Sequence, residues 1–458
     1  MQEHLRALRA LDAADVRHLL EVAGQYRAQG YDRHQVMLRH LYEGHGEPYV
    51  RAELARRYGH ETAGAMPVVA LNLARLIADV TSGAYDGIVR RMPRGATGPL
   101  APDGVAARDF TGRIARDGLA PALVEGDRRL RVAGAQVYRL RPGPDRTGVV
   151  LYWPHQVRAI PDPAEPGDPA RVLCVIAEVA GPGPRGTTWR EVWARATPES
   201  SSWVVQRVAM CEDRVTGREP PEEYEGPLPW LWRTADVGGE SLAPDVDRDV
   251  ARLVIEINVA LSDAVYLQNT QGHTPLVLRS NGTTSRNVAA WGPDRVIQID
   301  TEEAIDALSL SPRMADGRAL VDHLLRMLAI TQGMPEDAYS HQRDYLSGDS
   351  RRAKHAAQRH HHRDQRARAA TWEERSLWPT YLGLEALAGR PAPYSVAVHL
   401  DEEPPTVSLQ ERTQAAAQLV TLGLSPARAA TRAGLYASID EAVADGLPDG
   451  EPDPEPSE

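Results

Sequence analysis

The sequence predicts an α+β chain, on three observations. The first 90 residues keep the spacing of amphipathic helices. From about residue 126 to 210 the pattern changes to short β-prone runs divided by Pro- and Gly-rich turns. A long segment without glycine or proline then opens a helix–β–helix order.

In the N-terminal part, Leu8, Leu11, Val16, Leu19 and Leu20 recur at helical spacing, and Asp12 or Asp15 is placed to cap locally. Val50 to Tyr58 reads as a second helical block. A third helix is expected from Met66 to Gly87, where Val69, Leu71, Leu73, Leu76, Ile77 and Val80 make a broad apolar face that Gly83 and Gly87 end. Arg91 to Gly104, rich in Gly and Pro, reads as a loop. The β runs are VYRL, GVVLYW, RVLCVIAEV, TTWREVWARA and SSWVVQRVAM, parted by RPGPDRTG, PDPAEPGDP and GPGPRG. They predict a small antiparallel module, barrel or sandwich, although Trp189, Val192 and Trp193 do not alternate cleanly. The Pro-rich connector REPPEEYEGPLPWLW leads out of it.

Asp245 to Gln271 predicts a long helix. Val250, Leu253, Val254, Ile257, Leu261, Ala264 and Val265 form one stripe, and Asp245, Asp247 and Asp249 sit where the helix dipole favours acids. Gly272 stops the helix, and residues 273–300 read as two or three strands with an Asn281–Gly282 turn. A second helix follows from Met314 to Thr331, with Val321, Leu324, Leu325 and Leu328 on one face. The expected result is an antiparallel helix pair tipped by a β-lobe. A polar loop follows Gly333-Met334-Pro335. A helix then runs from about Ser350 to the Leu-Trp-Pro at 377–379 and on to Leu387, and two short helical pieces precede an acidic, Pro-rich tail expected to be disordered.

Composition excludes several classes. No stretch approaches the roughly 20 apolar residues of a membrane span, and the N-terminus lacks the basic-then-apolar pattern of a secretory signal. A formal charge of −11 argues against a protein that grips nucleic acid by neutralising many phosphates, though not against one past which DNA slides. Cys174 and Cys211, the only cysteines, lie in apolar strand-like runs and read as small buried hydrophobes in a reducing compartment. Lys354 is the only lysine, which reads as coding bias.

No GxxxxGK[ST], HExxH, GxSxG or strand-linked GxGxxG occurs, so neither an ATP-driven motor nor a familiar catalytic motif is visible, and no cofactor or metal is expected. His360, His361 and His362 are consecutive, and with His355 five residues earlier they lack the i, i+4 spacing of a metal site; they read as a solvated polar face. Arg343, Arg351, Arg352, Lys354, Arg359, Arg363, Arg366 and Arg368 allow nucleic-acid contact. Because Asp344, Asp349 and Asp364 interleave, a charged helix pairing with acidic neighbours is preferred. The Asp245, Asp247, Asp249 set and the Glu402–Glu403 pair read as helix-end and linker charges.

The order of these elements resembles that of portal proteins from long-tailed bacteriophages. The resemblance rests on Leu41-Tyr42-Glu43-Gly44, on the helix Leu71 to Gly87 with its Tyr-x-Gly ending, and on the aromatic strands Val149 to Trp153 and Trp189 to Trp193. Gly226-Pro227-Leu228-Pro229, and Gly333-Met334-Pro335 followed by Leu346-Ser347-Gly348-Asp349-Ser350, complete it. It spans nearly the whole chain through short, degenerate motifs, and the chain is compact for that family. The resemblance implies a helical wing part (1–125), a β-rich wing module (126–240), a descending stem helix (241–271), a clip (272–312), a returning stem helix (313–333), a tunnel loop (334–350), a long wing helix (351–400), a helical crown (401–445) and the tail (446–458).

It further implies a non-enzymatic dodecameric ring at one capsid vertex of a virion, assembled in the host cytoplasm. Double-stranded DNA would pass through the ring during packaging and ejection. Expected partners are the terminase large subunit, a head-completion or adaptor protein, and the major capsid and scaffold proteins, with no membrane. Pro335, Glu336, Asp337, Tyr339, His341, Gln342, Arg343 and Tyr345 would form the DNA-facing tunnel loop. Val250, Val254, Ile257, Leu261, Val265, Val321, Leu324 and Leu328 would pack the stem between subunits, since a repeated heterologous contact of the right rotation closes a ring. A DNA channel also avoids persistent cationic contacts, which must be undone at every step. The rival readings are an assembly adaptor without a channel and a DNA-processing enzyme subunit such as a nuclease.

Overall fold

The computed structural model describes residues 13–86, 88–95, 98–99, 104–182, 187–195, 197, 199–211, 214–235, 241–244, 248–271, 276–279, 304–307, 314–334, 356–401, 416–420, 425–432 and 443. They form two compact units, Met1–Asp401 and Glu402–Glu458. In the second, the short helix Pro426–Arg432 buries Ala427, Ala429 and Ala430, and the Ser425 Oγ accepts from the Arg428 N–H at 3.4 Å.

The first unit begins with helices α1 (Ala13–Gln25), α2 (Tyr31–Tyr42), α3 (Glu47–Tyr58), α4 (His60–Ala65) and α5 (Leu73–Thr81). Strands β1 (Ile88–Gly95) and β2 (Gly98–Pro99) lead to α6 (Val105–Asp117) and α7 (Leu119–Ala133). The β-rich part comprises β3 (Ala135–Pro142), β4 (Thr147–Tyr152), β5 (Val157–Pro161), β6 (Val172–Val179), β7 (Thr187–Ala194), β8 (Ser202–Cys211), β9 (Arg214–Arg218), β10 (Glu222–Glu225) and β11 (Trp230–Thr234). Then come α8 (Arg248–Gln271), β12 (Leu276–Arg279), β13 (Ala304–Ala307), α9 (Met314–Thr331), α10 (Ala356–Trp372), a π turn (Glu373–Leu377), α11 (Trp378–Leu387) and β14 (Ser395–Asp401).

The β-rich part is a sandwich, and among the described residues no barrel closes. One sheet has six antiparallel strands, ordered β10-β8-β7-β6-β5 with β9 also beside β8; the other has three, ordered β11-β3-β4. The strand period of two sorts the side chains. Val175 and Ala177 face Trp193, Trp203, Val137, Trp230 and Trp232 between the sheets. Cys174 and Ile176 face Val16 and Ala23 of α1 on the outer side. The smaller sheet is likewise covered twice, with Tyr138, Leu140 and Leu231 packing on Phe110, Leu119, Leu123, Trp378, Tyr381 and Leu384. The layers are therefore helix, sheet, sheet, helix. Burial on both faces explains why Val172 to Ala177 is continuously apolar and not alternating.

Several expectations change. The helix expected from Met66 begins only at Leu73. The β-branched Val68 and Val69 disfavour a helical start there, and the Asn72 side chain caps the later one by accepting from the Arg75 N–H at 3.0 Å. The stretch read as a loop after Arg91 contains a strand, because β1 finds β14 across 300 residues, with Met92 opposite Ala397. Residues 126–133 are helical and not the start of the β module. The C-terminal helix is interrupted by the π turn, and residues 395–401 are strand.

Close packing across layers leaves one testable mark in α7. A Cβ on Gly126 would lie 2.1 Å from the Tyr138 hydroxyl oxygen and 2.6 Å from its Cζ, and Tyr138 is fully buried against Trp372. In an open helix, glycine to alanine would stabilise by about 1 kcal/mol. Here Gly126→Ala is expected to destabilise by roughly 1–3 kcal/mol, as overpacking does. Chemical denaturation reads the sign directly, and a stabilised variant would refute the close approach.

Candidate assembly site on the helix pair

Helices α8 and α9 pack against each other, and β12 pairs antiparallel with β13 within the segment that joins them, Leu276 opposite Ala307 and Arg279 opposite Ala304. Asp245, Asp247, Asn281 and Gly282 lie outside the described residues. Gly333, at φ 64°, turns the chain after α9, and the Met334 N–H donates to the Ala329 carbonyl at 2.9 Å, ending the helix in the left-handed manner that glycine permits. The buried Met334 side chain then re-enters the core.

The N-terminal helices hold α8 in place through polar contacts. Asn258, buried on α8, accepts from the Leu71 N–H at 2.9 Å and donates to the Leu71 carbonyl at 3.1 Å. One turn on, the Ser262 Oγ accepts from the Val69 N–H at 2.9 Å. These two side chains satisfy backbone groups of the non-helical stretch that replaces the expected helix at Met66. On the outer side, Arg57 pairs with Glu256, and the Tyr58 hydroxyl donates to Asp263 at 3.0 Å. Burial raises the Asp263 carboxyl above its ordinary range; it also raises the Tyr58 hydroxyl, with Asp263 adding to the effect.

The predicted stem stripe is split by this packing. Val250, Val254, Ile257 and Leu328 are buried against Tyr31, Leu38, Leu41, Leu73 and Ile77 of the same chain, so they have no surface left to offer another copy. Leu261, Val265, Val321 and Leu324 are half-buried. What remains open is a second stripe on α9: Leu320, Met327 and Ile330 are 50%, 39% and 52% exposed. Their i, i+7, i+10 spacing places them on one helix face. Leu267 of α8 is also exposed, at 40%. The signal was present in the sequence, since α9 carries apolar residues on more faces than one covered stripe requires.

The other predicted positions fall as follows. Pro335, Glu336, Asp337, Tyr339, His341, Gln342, Arg343 and Tyr345 lie outside the described residues. Of the consecutive histidines only His360 is exposed; His361 and His362 are half-buried, and the His362 ring occupies the space where a Cβ on Gly83 would sit, 2.2 Å away. Burial lowers the pKa of both, so they form no solvated face. Arg366 donates twice to the Asp86 carbonyl, and Arg368 once to that of Ala235, so among the described residues these two cations of α10 meet backbone carbonyls. Cys174 is buried and Cys211 partly so, and neither is in a disulfide. Among the described residues no cluster of His, Cys, Asp and Glu could hold a metal, and no helix is long and apolar enough to cross a membrane.

No protein-family model matches the chain, and no curated protein matches it. Among solved structures it is similar to a chain from the neck of an empty gene transfer agent (GTA) particle computed with C6 symmetry, at 14% identity and a TM-score of 0.42. A chain from the virion of the native GTA particle gives 13% and 0.43, and one from the neck of the native particle computed with C12 symmetry gives 13% and 0.37. Each alignment covers 87% of this chain and 94% of the other.

Proposed function

We propose that the chain is the subunit of a portal-like ring, the DNA channel at one vertex of a phage-type capsid, through which the genome is packaged and ejected. The observation that carries this reading is the apolar stripe of Leu320, Met327 and Ile330, left open on a helix whose other side is already covered. Three large apolar side chains exposed along one helix face suit a partner surface. A second copy, using the stripe against a different face of its neighbour, builds a closed ring when the rotation fits. The half-buried Leu261, Val265, Val321 and Leu324 border the same interface.

The element order supports the channel reading. A long helix, a segment with a short strand pair and a returning helix match a descending stem, a clip and an ascending stem. The net charge of −11 suits a bore that DNA slides through. In this reading Pro335 to Ser350 is the loop facing DNA. The ring docks the terminase large subunit, a head-completion protein, and capsid and scaffold proteins.

Negative-stain electron microscopy, with mass measured in solution on the same sample, tests the proposal. Rings with an axial hole and about a dozen subunits are expected. Small oligomers, or rings without a hole, would replace it with an assembly adaptor. In rings that form, shortening the 335–350 loop is expected to impair DNA packaging and leave the ring intact.

A further inference from the structure

A pocket of about 360 Å³ lies away from the helix pair, where β3 meets the six-stranded sheet and α11. Its charged lining is entirely cationic: Arg139 and Arg141 from one face of β3, and Arg207 from β8, with no carboxylate among the lining residues. Trp193, Tyr224 and Leu384 supply an apolar wall.

The acids that answer these cations stand outside the pocket lining. Glu191, behind it and 1% exposed, pairs with Arg139 Nη2 at 2.5 Å and accepts from Arg207 Nε at 2.9 Å and Trp193 Nε1 at 2.6 Å, so one carboxylate serves two guanidinium groups. Glu219 reaches Arg207 only at 3.7 Å and is half exposed, and the exposed Glu222 is a further acid near Arg207. The Nε of Arg139, a side chain 8% exposed, has no acceptor among the described residues. Arg141 donates to the Tyr152 hydroxyl at 3.1 Å and meets no carboxylate among them. Guanidinium groups present planar pairs of donors that match oxyanions. The volume lies in the range of small-molecule sites, which combine an apolar wall with a few convergent polar groups.

We propose that this pocket binds a small organic oxyanion, a phosphate or carboxylate on an apolar body, with Arg141 and Arg207 meeting the charge and Trp193, Tyr224 and Leu384 the body. The site is independent of the ring interface, so it stands or falls apart from the portal reading.

Isothermal titration of the full chain with phenyl phosphate and with benzoate, against inorganic phosphate and acetate, tests it. Saturable binding of an aromatic anion is expected, tighter than its bare counterpart. Arg141→Glu is expected to weaken it by about tenfold or more, the loss of one charge-assisted contact, and Arg141→Lys by less. Arg141 is exposed and outside the Glu191 clamp, so the melting temperature without ligand should not change. The stronger of the two aromatic anions identifies the head group. No saturable binding at millimolar concentration, or binding equal in wild type and Arg141→Glu, would overturn the proposal.

Discussion

Glu385→Ala is expected to cost about 3–5 kcal/mol of stability at neutral pH, the typical cost of stripping one partner from a buried ion pair. The Glu385 side chain is 0% exposed. Its carboxylate accepts from Arg113 Nη1 at 2.8 Å, Arg116 Nη2 at 3.2 Å, Arg390 Nη2 at 2.6 Å and Nε at 3.0 Å, and the Thr147 Oγ1 at 2.6 Å. It thereby joins α6, α11, the start of β4 and the turn before β14. Without it, Arg113 keeps Asp109 and Arg116 keeps Asp117, but Arg390 loses the carboxylate it is hydrogen-bonded to and retains the Gly143 and Pro144 carbonyls.

The same carboxylate gives the substitution a pH signature. Burial alone would raise its pKa, but the hydrogen bonds from Arg390, Thr147 and Arg116 outweigh burial and hold it at about 2. A folded-state value below the unfolded one means that the contribution is complete above the ordinary glutamate value of 4.5 and is lost as pH falls towards 2. Urea unfolding of wild type and Glu385→Ala across that window should therefore show the difference shrinking with acid. A variant within 1 kcal/mol of wild type at neutral pH, or a difference that does not narrow, would contradict this account.

Ile330→Asp, alone and with Met327→Asp, is expected to leave the monomer folded and to abolish the ring. Both positions are already substantially exposed, so the chain's own stability should change by no more than about 0.5 kcal/mol. At a subunit contact the same carboxylate would be desolvated without a partner, and a ring repeats that cost at every interface. Light scattering should show mass falling to that of one chain while the melting curve of the monomer is retained. Val254→Asp is the contrasting variant: Val254 is fully buried within the chain, so it should unfold the subunit. Rings that persist in the double variant would move the interface elsewhere.

The α+β class and most individual strands were legible because period and turn chemistry are local. GVVLYW, RVLCVIAEV and SSWVVQRVAM lie in β4, β6 and β8 nearly as bounded, and even the poorly alternating TTWREVWARA forms β7. Its irregularity has a reason, because both sheet faces are covered and alternation is not enforced. The strand at Arg91 was not legible. Its ladder partner, β14, lies 300 residues away, and the only local signals, Gly and Pro, pointed to a loop.

The sequence by itself determined that α8 and α9 form helices and that each carries an apolar stripe. Only the tertiary structure decided which stripe is consumed inside the chain and which remains outside. Val250, Val254, Ile257 and Leu328 lie in one buried core with residues of α2 and α5, while Leu320, Met327 and Ile330 stay exposed. Periodicity reports that an apolar face exists, because that is a property of neighbouring residues. Burial depends on what the rest of the chain brings against that face, and here the decisive neighbours lie more than 150 residues upstream in the sequence.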